Sequence, residues 1–343
     1  MAAASVGLSV ATGALAQGKP AYHLVKTVPL AAPDRWDYLV FDPASQRVYA
    51  AHGDRVTVID GHDGAIVGQV EAFPGGTHGI AIVTSAGRGY TDDGEAGEAA
   101  SFDLRTLKPL VRIKSGPGAD AIAFDPSTGH VYVINGRPGT VTVIDPQADR
   151  AIAQINVGGE LEYAAADGHG KLFVNGEEKR EIIRIDTRTN RVDARWPIPQ
   201  CASPHGLAVD AAHDRLFSSC VNAILLVLDS NDGTTLATLP IGLGSDAVAF
   251  DPKRQLIFSS NGRDANLSVI REKDPRTFVS LESVPTAATA RTMTLDPESG
   301  RLYLLAADID EAAEKAASAA GQPARRPPLQ PGSLKLLMLD PAD

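Results

Sequence analysis

Cysteine is scarce in this chain: Cys201 and Cys220 are the only two in 343 residues. Thiolate metal centres need clustered cysteines, and covalent haem needs Cys-x-x-Cys-His; neither pattern occurs, which weighs against the first and excludes the second. Basic residues are outnumbered, 32 Lys and Arg against 42 Asp and Glu, for a formal net charge of -10. No basic run is longer than a pair such as Arg325-Arg326. Nucleic acid and anionic membranes are therefore not expected as partners, since both need clustered Lys and Arg. No nucleotide cofactor is expected either. No run approaches the ~20 apolar residues that a membrane-spanning helix requires. The Gly-x-Ser-x-Gly elbow is absent, as is a Ser-His-Asp order, which argues against a serine hydrolase. Aromatics are few, at 5%.

Turn formers, by contrast, are plentiful: 32 Gly and 23 Pro. They punctuate a repeat. Seven short strands open with an ionisable residue, namely Asp37, His78, Asp120, Glu162, His205, Asp246 and Arg291. Subtracting successive numbers gives spacings of 41, 42, 42, 43, 41 and 45. Six of the seven strands close with Asp five residues after the lead, and Val83 takes that place in the second. The third unit shows the full pattern. Asp120–Asp125 is a small apolar strand, 130–134 alternates, 140–145 alternates again, and 151–157 is a fourth strand. Turns of Gly, Pro, Asn and Asp separate them.

A four-stranded antiparallel sheet cannot bury both faces alone, so copies stack around an axis. The prediction is an all-β, seven-bladed propeller over 17–343, a single domain. The seventh unit runs out of chain before a fourth strand. The segment 22–30 reads as that missing strand and is expected to complete the last blade, removing exposed sheet edges. Residues 1–16 carry no charge and end Ala14-Leu15-Ala16, like the apolar core and cleavage site of a signal peptide, although the usual basic start is missing. A periplasmic or secreted protein is expected.

Strings such as Val131-Tyr-Val-Ile-Asn-Gly followed by Val141-Thr-Val-Ile-Asp resemble the YVTN repeat. From about Tyr22 to Asp340 the chain is similar to the YncE-like propeller family. That resemblance implies seven blades and export to the periplasm, and implies little about activity. Fold alone does not give function.

Strand direction sorts residues between the two faces of a propeller. If inner strands start at the top, second-to-third-strand loops also lie at the top. His62, His130, His169 and His213 then fall at the bottom and His23 at the rim, leaving His52, His78 and His205 at the top. The seven leads would ring the mouth of the axial channel. His78, His205, Asp37 and Asp246 are the expected ligands of a divalent ion, since imidazole with carboxylate suits Zn, Mn, Fe or Ni and a carboxylate-rich subset suits Ca. Asp120 and Glu162 are the expected catalytic acid or base. Arg291, His52, Arg137 and Arg263 are the expected ligand contacts. The plainer reading of the ring is that strand ends beside a wet channel are polar anyway, with Arg291 salt-bridged to Asp37 or Asp246.

Antiparallel pairing in the fifth unit puts Cys201 and Cys220 within disulfide reach. An oxidising compartment favours that bond. A helix-forming, then Pro- and Arg-rich insertion over 307–332 interrupts the last unit on the top face. The expected function is binding of a small molecule or protein at the top mouth, by a monomer. The alternative is a metal-dependent hydrolase or lyase acting on a lactone, ester or sugar-derived substrate.

Overall fold

The computed structural model describes residues 22–319 and 326–342. The leader expected at 1–16 lies outside them, as does part of the insertion. The described chain forms seven four-stranded antiparallel sheets arranged as a propeller. Six blades use four consecutive strands each. The seventh combines Thr292–Leu295, Leu302–Ala306 and Lys335–Pro341 with the chain's first strand, Tyr22–Pro29. That first strand pairs antiparallel with Lys335–Pro341, Val28 lying opposite Leu336 and Tyr22 opposite Pro341. Both ends of the described chain thus share one sheet.

The second strand of every blade carries one aromatic residue at the same place: Tyr49, Tyr90, Tyr132, Phe173, Phe217, Phe258 and Tyr303. All are 0–1% exposed. Flat rings bury much area at little entropic cost and fill the space between neighbouring sheets. Where the ring is a tyrosine, its hydroxyl can bond across to the next blade. Tyr90 donates to Asp149 at 2.9 Å, Tyr132 to the Thr187 carbonyl at 3.2 Å and Tyr303 to the Gly61 carbonyl at 2.7 Å.

The closing Asp of the inner strand is a turn staple. Asp42 accepts from the amides of Ala44 and Ser45, Asp125 from Ser127, and Asp251 from Lys253 and Arg254. A short carboxylate facing its own turn satisfies backbone donors that have no ladder partner. This fixes the turn on the bottom face and so sets the height of the lead residue at the other end of the strand.

The expected disulfide is present: Cys201 and Cys220 are bonded, with Cα atoms 5.3 Å apart. Pro204 pairs with Cys220 in the ladder, which brings the loop carrying Cys201 alongside the end of the second strand. The insertion in the last blade contains one helix, Glu311–Ala319, capped by Asp310, whose Oδ1 accepts from the amides of Ala312 and Ala313. It returns to the blade over Asp34, which accepts from the amides of Gly332 and Leu334. Among the described residues no helix is long and apolar enough to cross a membrane.

Candidate functional site

Two of the lead residues are followed by glycine, and packing explains why. A Cβ on Gly79 would lie 2.3 Å from the Asp120 carbonyl oxygen, and one on Gly206 would lie 2.7 Å from the Ala247 backbone. Glycine lets the inner strands of adjacent blades close up there, which draws the leads His78 and His205 against their neighbours.

The densest group is formed by blades four to seven. His205 Nδ1 donates to Asp246 Oδ1 at 2.6 Å, and Arg291 Nε donates to Asp246 Oδ2 at 2.7 Å. The salt bridge expected of Arg291 is therefore made, to Asp246 and not to Asp37. Its guanidinium also lies over the Trp36 ring at 4.8 Å and donates to the Trp36 carbonyl at 3.0 Å. On the other side, His205 Nδ1 is 3.8 Å from Glu162 Oε1, and its Nε2 is 3.6 Å from Glu177 and 3.2 Å from the Ser203 hydroxyl. Ser203 in turn donates to Glu177. Glu162, His205 and Asp246 each offer a ligating atom, and these atoms all lie within 4.8 Å of one another.

His78 is arranged differently. Its Nδ1 bonds Asp92 Oδ2 at 2.7 Å, while Asp92 Oδ1 accepts from the amides of His78 and Gly79 at 2.8 Å each. Asp92 is wholly buried and comes from the second strand of the same blade. The Arg35 guanidinium approaches His78 Nε2 at 3.4 Å, too long to govern its protonation. His78 and Asp37, expected as metal ligands, thus stand outside the ligating trio. Glu162, expected as an acid or base, stands within it.

Charge is unevenly spread around the ring. Burial disfavours a charged His205, but Asp246 and Glu177 outweigh burial and hold the imidazole protonated up to about 11. Burial likewise opposes charge on His78, and Asp92 overcomes it, raising the ring to about 9. Burial would raise Asp246 as well, yet His205 and Arg291 hold it far below the usual carboxylate range. The other acids go the opposite way. Burial, then the Asp37 carboxylate, pushes Asp120 up to about 7. Burial raises Asp37 despite Arg291 and His78, and burial with Asp120 raises Glu162 well above its ordinary value.

Below this ring the axis is crossed by aromatic side chains. Tyr38 of the first blade donates to Glu162 of the fourth at 3.2 Å, and its ring packs on Tyr163 at 4.7 Å. Beneath the pair is a cavity of about 290 Å³, lined by inner-strand residues including Val40, Ile82, Phe124, Tyr163 and Ala166.

His52, expected to contact a ligand, is fully buried. Its Nδ1 meets the Thr57 hydroxyl and its Nε2 the Pro33 carbonyl, both at 2.8 Å, so no ring nitrogen remains for a ligand. Arg137 and Arg263 are exposed in second-to-third-strand turns and take no part in the ring's ion pairs. The residues missed from sequence are the partners: Asp92, Glu177, Ser203, Tyr38 and Trp36. Only Tyr38 and Trp36, next to a lead residue, carried any signal of position.

No protein-family model matches the chain, and no curated protein matches it in sequence. Solved structures do match in shape. Hydrazine synthase of Kuenenia stuttgartiensis aligns with a TM-score of 0.69 at 13% identity, over 85% of this chain and 96% of that one. A chain in a crystal structure of the mitotic checkpoint complex aligns with a TM-score of 0.74 at 13% identity, over 100% of this chain and 99% of that one. At that identity the likeness concerns fold alone, and the fold it shows is the seven-bladed β-propeller.

Proposed function

We propose that the protein is an exported, YncE-like binding propeller, acting as a monomer. In this reading a divalent ion held by Glu162, His205 and Asp246 takes part in capturing a small anionic molecule at the top mouth. The observation that carries this reading is the convergence of three ligating side chains, from three consecutive blades, to within 4.8 Å. One nitrogen and two carboxylate donors suit Zn, Mn, Fe or Ni better than Ca, which takes six to eight oxygens. The ion would replace the proton that His205 shares with Asp246. Anion preference is supported by Arg35, His78 and Arg291 around the mouth, and by Arg326 of the insertion, which acts electrostatically on Asp37. The disulfide supports export, because such bonds persist in oxidising compartments.

Metal analysis tests this directly. Purified protein supplemented with Zn, Mn, Fe, Ni or Ca should retain one equivalent that Glu162→Gln and His205→Ala both lose. Equal metal content in the wild type and both variants would remove the ion from the reading.

A second reading rests on Asp120. A carboxyl group titrating at about 7 beside such a centre can give or take a proton at neutral pH, as a hydrolase or lyase acting on a lactone or ester requires. Turnover of a lactone and ester panel should fall at least a hundredfold in Asp120→Asn, on the usual scale of acid–base catalysis. Unchanged turnover would exclude Asp120 as the catalytic group.

A further inference from the structure

A second cluster of ligating side chains lies on the opposite, bottom face, between blades five and six. Asp210 ends the inner strand Pro204–Asp210, His213 is in the turn that follows, and Glu272 is in the third strand of the next blade, Asn266–Asp274. Each offers a ligating atom, and these atoms lie within 4.8 Å of one another. His213 Nδ1 is 2.6 Å from Asp210 Oδ2. Glu272 is 3% exposed, and neither of its carboxylate oxygens has a hydrogen-bond partner.

A buried carboxylate with both oxygens unpaired is costly, and native structures rarely keep one without a compensating group. Arg215 does not supply the missing bond. Its N–H groups go to the carbonyls of Pro275 and Asp214 and to Asp229. Burial, then the facing Asp210 carboxylate, pushes the Glu272 acid up to about 7, although His213 and Arg215 nearby act in the other direction. Two acids facing one another in a dry place are relieved by a cation or by a proton.

The repeat itself provides the control. Three residues after the closing Asp, blades one, three and seven place Ser45, Thr128 and Ser299, whose hydroxyls bond that Asp, while blade four places Gly170 and blade six Arg254, which also bonds its Asp. The fifth blade places His213 there. At the position of Glu272 the other third strands are followed by Gly61, Leu104, Pro146, Thr187, Ser230 and Pro341, none of them a carboxylate or imidazole. An imidazole and a carboxylate, found at these two positions in no other blade, therefore coincide at the same blade junction.

We propose that Asp210, His213 and Glu272 form a divalent transition-metal site that clamps blade five to blade six on the bottom face. The donor set of one imidazole and two carboxylates fits Zn²⁺ or Mn²⁺, with water completing the shell on the exposed side of His213. The two carboxylates balance the ion's charge. Blade five is then tied at its top edge by the disulfide and at its bottom edge by the ion.

The test is a Zn²⁺ titration of the full chain after chelation, read by calorimetry, metal content and melting temperature. Glu272→Gln and His213→Ala should each lose one equivalent or bind it at least about tenfold more weakly, with a smaller Zn²⁺-dependent rise in melting temperature. Glu162→Gln at the top mouth should leave that equivalent in place, which separates this site from the axial one. His213 is partly exposed, so His213→Ala folds even if Glu272→Gln does not. Identical Zn²⁺ affinity, stoichiometry and thermal response in the wild type and His213→Ala would overturn the proposal.

Discussion

Replacing Asp246 with Asn removes the one strongly ionised acid of the top ring while keeping its shape. Asp246 accepts charge-assisted bonds of 2.6 Å from His205 and 2.7 Å from Arg291, and its side chain is 13% exposed. Taking one partner out of a buried ion pair costs about 3–5 kcal/mol, because the remaining charges stay desolvated. Unfolding entropy near 2.1 cal/mol/K per residue, over roughly 300 ordered residues, gives about 0.6 kcal/mol/K, so the melting temperature at pH 7 should fall by about 5–8 °C. Differential scanning calorimetry reads this directly. A pH series adds a sign. His205 is raised from 6.5 to about 11 in the folded state. Its contribution is therefore complete below pH 6.5 and lost as pH rises towards 11. The gap between wild type and Asp246→Asn should narrow steadily from pH 7 to pH 10. A fall of less than about 2 °C, near 1 kcal/mol on the same scale, or a gap that does not change with pH, would refute the electrostatic account of the ring.

Two further perturbations probe what holds the ring in place. Cys201 and Cys220 are 19 residues apart, and a loop of that length is worth about 3 kcal/mol of unfolded-state entropy. The Cys201→Ser/Cys220→Ser pair should melt about 5 °C lower by the same conversion; equal melting temperatures would show that the bond adds nothing to stability. Deleting the chain through Leu30 should leave Leu336–Leu339 at an open sheet edge and produce oligomers by size-exclusion chromatography. A monomer with an unchanged melting temperature would show that the first strand is dispensable.

The blades were readable because each repeat opens with an ionisable lead at a spacing of 41 to 45 residues, and six of the seven close that strand with Asp. The Cys201–Cys220 bond was readable for a related reason, since antiparallel pairing fixes which residues lie opposite one another. The site's partners were not. Asp92 determines the state of His78 from the second strand, and Glu177 reaches His205 from the loop of a neighbouring blade. Neither position repeats. His52 has the chemistry of a ligand contact, yet Thr57 and the Pro33 carbonyl engage both its nitrogens. Sorting histidines by face places His213 on the bottom, as the structure does, but could not show that Glu272, 59 residues later by subtraction and on the adjacent blade, lies beside it.

The contact of Tyr38 with Tyr163 has a consequence for traffic. These rings come from blades three apart around a seven-blade circle, so together they span the lumen. The pair therefore narrows the lumen between the ionic rim and the cavity below it. The 3.2 Å bond from Tyr38 to Glu162 ties this contact to the acid beside His205. A change at Glu162 would thus reach the Tyr38–Tyr163 contact through a single hydroxyl.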